Sequence, residues 1–335
     1  MYHLPLALSI VASLVTGAVA IPVSGHIRRD SPVLSGFNAD PNVIVFGNTY
    51  YIYPTNDGED WEGKSFYVWK STNLADWTKS ADPILTLNGE DGPGNVPWAT
   101  GKAWAPAIIE RDGKYYFYHS GENPSQENRL TIGAAVADSP EGPFTAQPEA
   151  MILNTERLTA NDAIDPMAFH DPQTDKYILY WGNGRQLHAE LNDDMVSLNW
   201  DTLAETPAEE LADYLEAPFV VFREGLYHMT WSISDTRSED YRVGYATSGA
   251  ATGPWTSHGV VLSKDPAKGI LGTGHQSVVN VPGTDDWYIV YHRFAIPDGD
   301  GYHRETTIDR LTFDPDTGLI QTVAPTLDSV APQPI

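Results

Sequence analysis

Three acids in this chain stand at or next to prolines, in Asp40-Pro41, Asp165-Pro166 and Glu216-Ala217-Pro218. Carboxyl groups in such a set can hydrolyse an acetal bond. One protonates the leaving oxygen while a second acts on the far side of the sugar. A third nearby keeps the acid protonated, because like charges raise one another's pKa. Proline biases the residue before it away from the helical region, so extended chain is expected around all three. A single Asp-Pro pair is an ordinary turn opening. The weight lies in the register at which the three recur.

That register belongs to a repeated hairpin. Tyrosine-rich runs recur at Thr49–Pro54, Lys114–His119, Lys176–Trp181, Leu226–Trp231 and Trp287–His292, roughly 60 residues apart. About ten to twelve residues ahead of each lies a short polar motif: Asp40-Pro41, Trp104-Ala105-Pro106, Asp165-Pro166, Glu216-Ala217-Pro218 and Gly274-His275. Turns such as Gly47-Asn48 and Asp112-Gly113 close the hairpins. Five copies of this length, made of short strands, predict radial repetition: one all-β domain, a five-bladed β-propeller. The first strand of every blade would line the axis, so Asp40, Asp165 and Glu216, at one repeat position, would meet in one cavity. In blade one the third strand is expected over Phe66–Lys70 and the edge over Leu74–Thr78; the one convincing helix is Thr206–Leu215. Most of the repeat tyrosines should pack between blades.

The motifs Asn38-Ala39-Asp40-Pro41, Trp104-Ala105-Pro106, Ile164-Asp165-Pro166 and Glu216-Ala217-Pro218 resemble those of glycoside hydrolase family 43, over about Phe37 to Val323. That family comprises five-bladed propellers, mainly β-xylosidases, α-L-arabinofuranosidases and arabinanases. The resemblance implies an inverting single displacement with Asp40 as general base, Glu216 as general acid and Asp165 as pKa modulator and orienter. The residues alone give an acid–base pair without deciding which acid does which job. The related fructan-cleaving enzymes carry Arg-Asp-Pro and Glu-Cys where this chain has Ile164-Asp165 and Glu216-Ala217, which argues against them.

Further candidates sit at the same repeat position or near it. Trp104 could stack its indole on the apolar face of a sugar, or pack in the core. His275, in Gly274-His275-Gln276, would stand at the blade-five entrance; in similar enzymes this histidine touches a calcium through its water shell, although a lone histidine is a weak calcium signal. Arg304 resembles the family arginine that contacts substrate near the acid. His292 and Arg293 read as structural. The polar stretch Ser234–Tyr241 reads as a solvated hairpin, and the segments Asn56–Gly63 and Asn88–Gly101 could wall a groove.

Composition bounds the rest. The chain has 335 residues, no cysteine and a net charge of −25. Thiolate metal sites and cysteine nucleophiles are thereby excluded. Nucleic acid and anionic membranes would be repelled, whereas a neutral polysaccharide is compatible. Residues 1–20 read as a signal peptide ending in Ala18-Val19-Ala20, residues 21–29 as a propeptide ending at Arg28-Arg29, and residues 30–335 as the propeller. The expectation is a secreted, monomeric exo-glycosidase that needs no cofactor for its chemistry and has a place for a structural calcium. It would release xylose or L-arabinofuranose from plant polysaccharides or oligosaccharides. The alternatives are an endo-1,5-α-L-arabinanase and a non-catalytic sugar-binding propeller.

Overall fold

The computed structural model describes Met1 and residues 31–87, 95–153 and 162–335. The expected signal peptide (apart from Met1) and the Arg28-Arg29 site lie outside the described residues.

Alternating residues bounded by tight turns give antiparallel hairpins, because a period of two buries one face of each strand. Among the described residues, beside one small two-stranded sheet, five sheets make up the blades in chain order, four of them four-stranded and the fifth three-stranded. Their innermost strands are Asn38–Phe46, Trp104–Arg111, Met167–Asp171, Tyr214–Arg223 and Gly274–Asn280. Each packs beside the next, and the fifth packs beside the first, so the ring closes as a five-bladed β-propeller. The second strands, Thr49–Asn56, Lys114–Asn123, Lys176–Trp181, Leu226–Ile233 and Trp287–Phe294, carry the tyrosine runs.

Large side chains from facing sheets fill the space between blades, as Tyr53, Phe66, Phe117 and Phe144 do between blades one and two. One tyrosine of the repeat also links blades by a hydrogen bond. Tyr53, Tyr118 and Tyr180 donate to the carbonyls of Pro140, Met195 and Ala251 in the following blade, each at 2.7 Å. Blade four has Thr230 at this place, and blade five keeps the bond internal, from Tyr291 to Asp309 at 2.6 Å.

Closure uses both ends of the described chain. The Val33 amide donates to Thr306 on the third strand of blade five, and the Val323 amide donates to Val261 on the edge of blade four. Buried Arg293 joins these segments, donating to Glu305 at 2.8 Å, to the Thr326 carbonyl at 2.8 Å and to Ser31 at 3.1 Å.

Two local expectations fail. Thr206–Leu215 is not a helix: after the edge strand Ala204–Glu205 the chain makes turns and resumes as the strand beginning at Tyr214. The segment must cross from an outer edge to the axis, and Asp213 at φ 56° breaks any helical continuation. In blade one the third strand is Trp69–Ser71 and the edge Thr78–Lys79, while Ser65–Phe66 pairs separately with Leu85–Thr86. The apolar run FYVWK concealed that break.

Candidate active site

At or just before the start of every innermost strand lies a residue in left-handed conformation: Asp40, Ala105, Asp165, Ala217 and His275, with φ between 43° and 59°. Four of them precede proline, so the expected extended chain is corrected: proline's steric bias disfavours the right-handed region but leaves the left-handed one open. The pairing register slips there in blades one, two, four and five. Glu216 therefore stands one residue ahead of the position held by Asp40 and Asp165, not at it.

Such strain, of order 1–3 kcal/mol per residue, persists only where surrounding structure imposes it. The imposing contacts form a ring. Each left-handed residue donates its amide to the preceding blade: Ala105 to Thr55 Oγ1 at 2.8 Å, Asp165 to Ser120 Oγ at 3.3 Å, Ala217 to Asp165 Oδ2 at 3.0 Å, His275 to Ser232 Oγ at 2.9 Å and Asp40 to His292 Nδ1 at 3.2 Å. Blade three has Gly182 where its neighbours offer Ser120 and Ser232, and there Asp165 accepts instead. One carboxylate thus fixes the backbone beside Glu216.

The three acids line a cavity of about 310 Å³ on the axis, with Trp104, His275 and Arg304 among its walls. Asp40 Oδ1 lies 3.1 Å from Arg304 Nη1 and 3.2 Å from His275 Nδ1, while Thr55 donates to Oδ2 at 2.7 Å. His275 Nδ1 is 3.9 Å from Asp165 Oδ2. Glu216 accepts from Tyr241 at 2.8 Å and from Asn183 at 3.3 Å. An anionic carboxylate, a second carboxyl in a less charged corner and a third between them can hydrolyse a glycosidic bond.

The sequence profile of glycosyl hydrolases family 43 matches residues 29–318. This chain belongs to glycoside hydrolase family 43. Among its relatives, a β-D-galactofuranosidase (xynD) of Aspergillus niger is 31% identical, covering 98% of this chain and 94% of its own. A xylosidase/arabinosidase (43A) of Humicola insolens is 28% identical, covering 85% of this chain and 96% of its own. A thermostable family-43 glycoside hydrolase of known crystal structure superposes with a TM-score of 0.76 at 29% identity, covering 91% of this chain and 99% of that one. The chain is accordingly an inverting glycoside hydrolase built on three carboxylates.

Electrostatics separate the acids of this family 43 site. Burial would raise the Asp40 pKa, but Arg304 above all, then His275 and His292, hold it well below the usual carboxylate range. Burial pushes Glu216 up to about 7, with Asp40 adding to the rise and the Tyr241 hydroxyl and Arg304 opposing it. Asp165 is likewise raised, by burial first and then by Glu216 and Asp40. In weakly acidic solution Asp40 is anionic while the Asp165–Glu216 pair retains protons. Burial lowers the pKa of His275, and that of His292 to about 4, with Arg304 adding to the fall and Asp40 opposing it at both.

The six residues singled out in the sequence meet in one cavity. Arg304, expected near the acid, shares the pocket with Glu216 and lies against Asp40, and buried Asp57 fixes it with 2.9 Å bonds to Nε and Nη2. His292, read as structural, is fully buried and accepts the Asp40 amide, which places it against the base. The stretch Ser234–Tyr241 supplies Asp235, Thr236 and Arg237 to the pocket wall and Tyr241 to Glu216, so it is not merely a solvated hairpin. Trp61 lies in the segment Asn56–Gly63 expected to wall a groove, although no motif marks it individually. It donates to the Gly301 carbonyl at 2.9 Å and packs on Trp104 and Tyr302.

Calcium was expected next to His275. Below the acids a cavity of about 20 Å³ is lined by Asn42, His275 and Gln276 among others. Asn42 Oδ1 and Gln276 Oε1 are buried without a hydrogen-bond partner, and oxygens of this kind suit calcium. The volume, however, admits about one water or ion and not a hydrated shell. Among the described residues no group of three or more His, Asp or Glu is arranged to hold a metal. A calcium held to His275 through waters does not fit this cavity.

Proposed function

We propose that this family 43 hydrolase is a secreted exo-acting glycosidase that releases xylose or L-arabinofuranose from plant polysaccharides or oligosaccharides. Asp40 is the general base, Glu216 the general acid, and Asp165, itself raised by burial and then by Glu216, is the pKa modulator that anchors the Ala217 amide beside Glu216. The opposed pKa shifts of Asp40 and Glu216 across one pocket carry this reading. An ionised base activates water on one face of the sugar while a carboxyl still protonated near neutrality protonates the leaving oxygen. Arg304 and His275 hold the base anionic, and Trp104 offers its indole to the ring.

Exo action is supported by the wall around Trp61, where loops of blades one, four and five meet and close one side of the pocket. Its volume, about 310 Å³, is at the small end for ligand sites, which suits one or two sugar residues. The apolar leader at residues 1–20 supports export. A second reading, β-D-galactofuranoside cleavage, is favoured by the A. niger relative, since that sugar has the ring configuration of α-L-arabinofuranose with an added hydroxymethyl group.

Parallel assays on nitrophenyl β-xyloside, α-L-arabinofuranoside and β-D-galactofuranoside choose the glycone. Asp40→Ala and Glu216→Ala should each lower turnover of natural glycosides by about 10²–10⁴-fold with the fold intact. Full activity in either variant ends the assignment. Products longer than a single sugar from linear arabinan would favour the endo-arabinanase.

A further inference from the structure

The acids lie at the floor of the pocket, with the side chains of Asp40 and Asp165 only 9% and 6% exposed. Its rim is far more open: Asp235 and Arg237 are 51% and 55% exposed and line the same cavity. In a blind pocket the sugar being released occupies the floor, so the group leaving with the acid's proton must lie at the mouth. Among the described residues lining the cavity, Arg237 is the cation at that mouth; Arg304, the other, is buried on the base.

Arg237 is held more firmly than an ordinary surface arginine. Its Nε donates to Asp235 Oδ1 at 2.8 Å, its Nη2 to Oδ2 at 2.6 Å, and its own amide to Oδ1 at 2.9 Å. Tyr302 adds to Asp235 in raising the pKa of the guanidinium. One face covers Trp61, 5.8 Å from the ring. The backbone is confined as well: a methyl group at Gly301 would come within 2.6 Å of the Arg237 Cα. A guanidinium has five N–H donors, so these contacts leave donors over, already oriented, for hydroxyl oxygens. The unused lone pairs of Asp235 supply acceptors beside them.

We propose that Arg237, braced by Asp235 and Trp61, forms the subsite for the leaving sugar, selecting a hydroxylated glycosyl unit as the leaving group over an apolar one. The inference rests on the exo reading above and deepens it. Sugar hydroxyls meet a fixed donor–acceptor pair there, while a nitrophenyl group gains little from either. A site built for hydrogen bonding loses affinity steeply when its partner is absent.

The test compares Arg237→Ala and Arg237→Lys with the wild type on two substrates of one glycone, a disaccharide and its nitrophenyl glycoside. The sugar is whichever one the wild type cleaves, so a wrong glycone in the proposed function changes the substrate pair and leaves the test of Arg237 intact. The expected result for Arg237→Ala is a fall in kcat/KM of about 10- to 100-fold on the disaccharide, consistent with one charge-assisted contact. On the nitrophenyl glycoside the value should stay within about threefold. Lysine should recover only part of the loss, because it lacks the fork that Asp235 fixes. Equal losses on both substrates would place Arg237 at the released sugar or in the fold and overturn the proposal. Unchanged cleavage of the disaccharide would overturn it too.

Discussion

Asp40 and Glu216 are both carboxyls on one axis, yet their environments drive them apart. Asp40 has a guanidinium and two imidazoles within 3.2 Å, whereas Glu216 has a phenol and an amide. Glu216 must be protonated to act as the acid, and its pKa is about 7. The kcat/KM for a disaccharide should therefore hold in weakly acidic solution and fall as pH rises through about 7. Tyr241 donates to the ionised form and so lowers that pKa. Tyr241→Phe should move the alkaline limb to higher pH; a limb that stays put or moves down would contradict the assignment of Glu216.

The left-handed residue at the entrance to each innermost strand is what aims these groups. Its strain is retained because the preceding blade accepts its amide, so neighbouring blades are coupled at the axis. Ser120→Ala would leave the Asp165 amide unpaired, at a cost of about 1–3 kcal/mol. Because Asp165 in turn holds Ala217, kcat should fall along with stability. Tyr118→Phe makes the contrasting case. It strands the Met195 carbonyl between blades at a similar cost, yet touches nothing in the pocket. Urea unfolding paired with steady-state kinetics separates the two: both variants lose stability, and only Ser120→Ala loses turnover.

At the scale of the whole molecule, a propeller must hold its last blade against its first. Here Arg293 gathers Ser31, Glu305 and Thr326 at the seam while only 1% of its side chain is exposed. Arg293→Ala would leave Glu305 as an uncompensated buried charge, with a cost of about 3–5 kcal/mol. Equilibrium unfolding in urea checks this, and a change below about 1 kcal/mol would show that the seam is held elsewhere.

The repeat of tyrosine strands, the blade count, the three acids and Trp104, His275 and Arg304 were all legible in the chain. Strand periodicity and turn residues are local, and a five-fold repeat makes distant positions equivalent without knowing their neighbours. The tertiary structure decided the remainder. Asp40 meets His292 and Arg304 across separations of 252 and 264 residues, and Glu216 meets one tyrosine among 17. No local pattern marks such partners, because hydrogen bonding at the axis depends on which blades close against each other. The left-handed residues are illegible for a related reason: the proline rule speaks to sterics within one residue pair, while the amide acceptors that impose the strain come from the blade before.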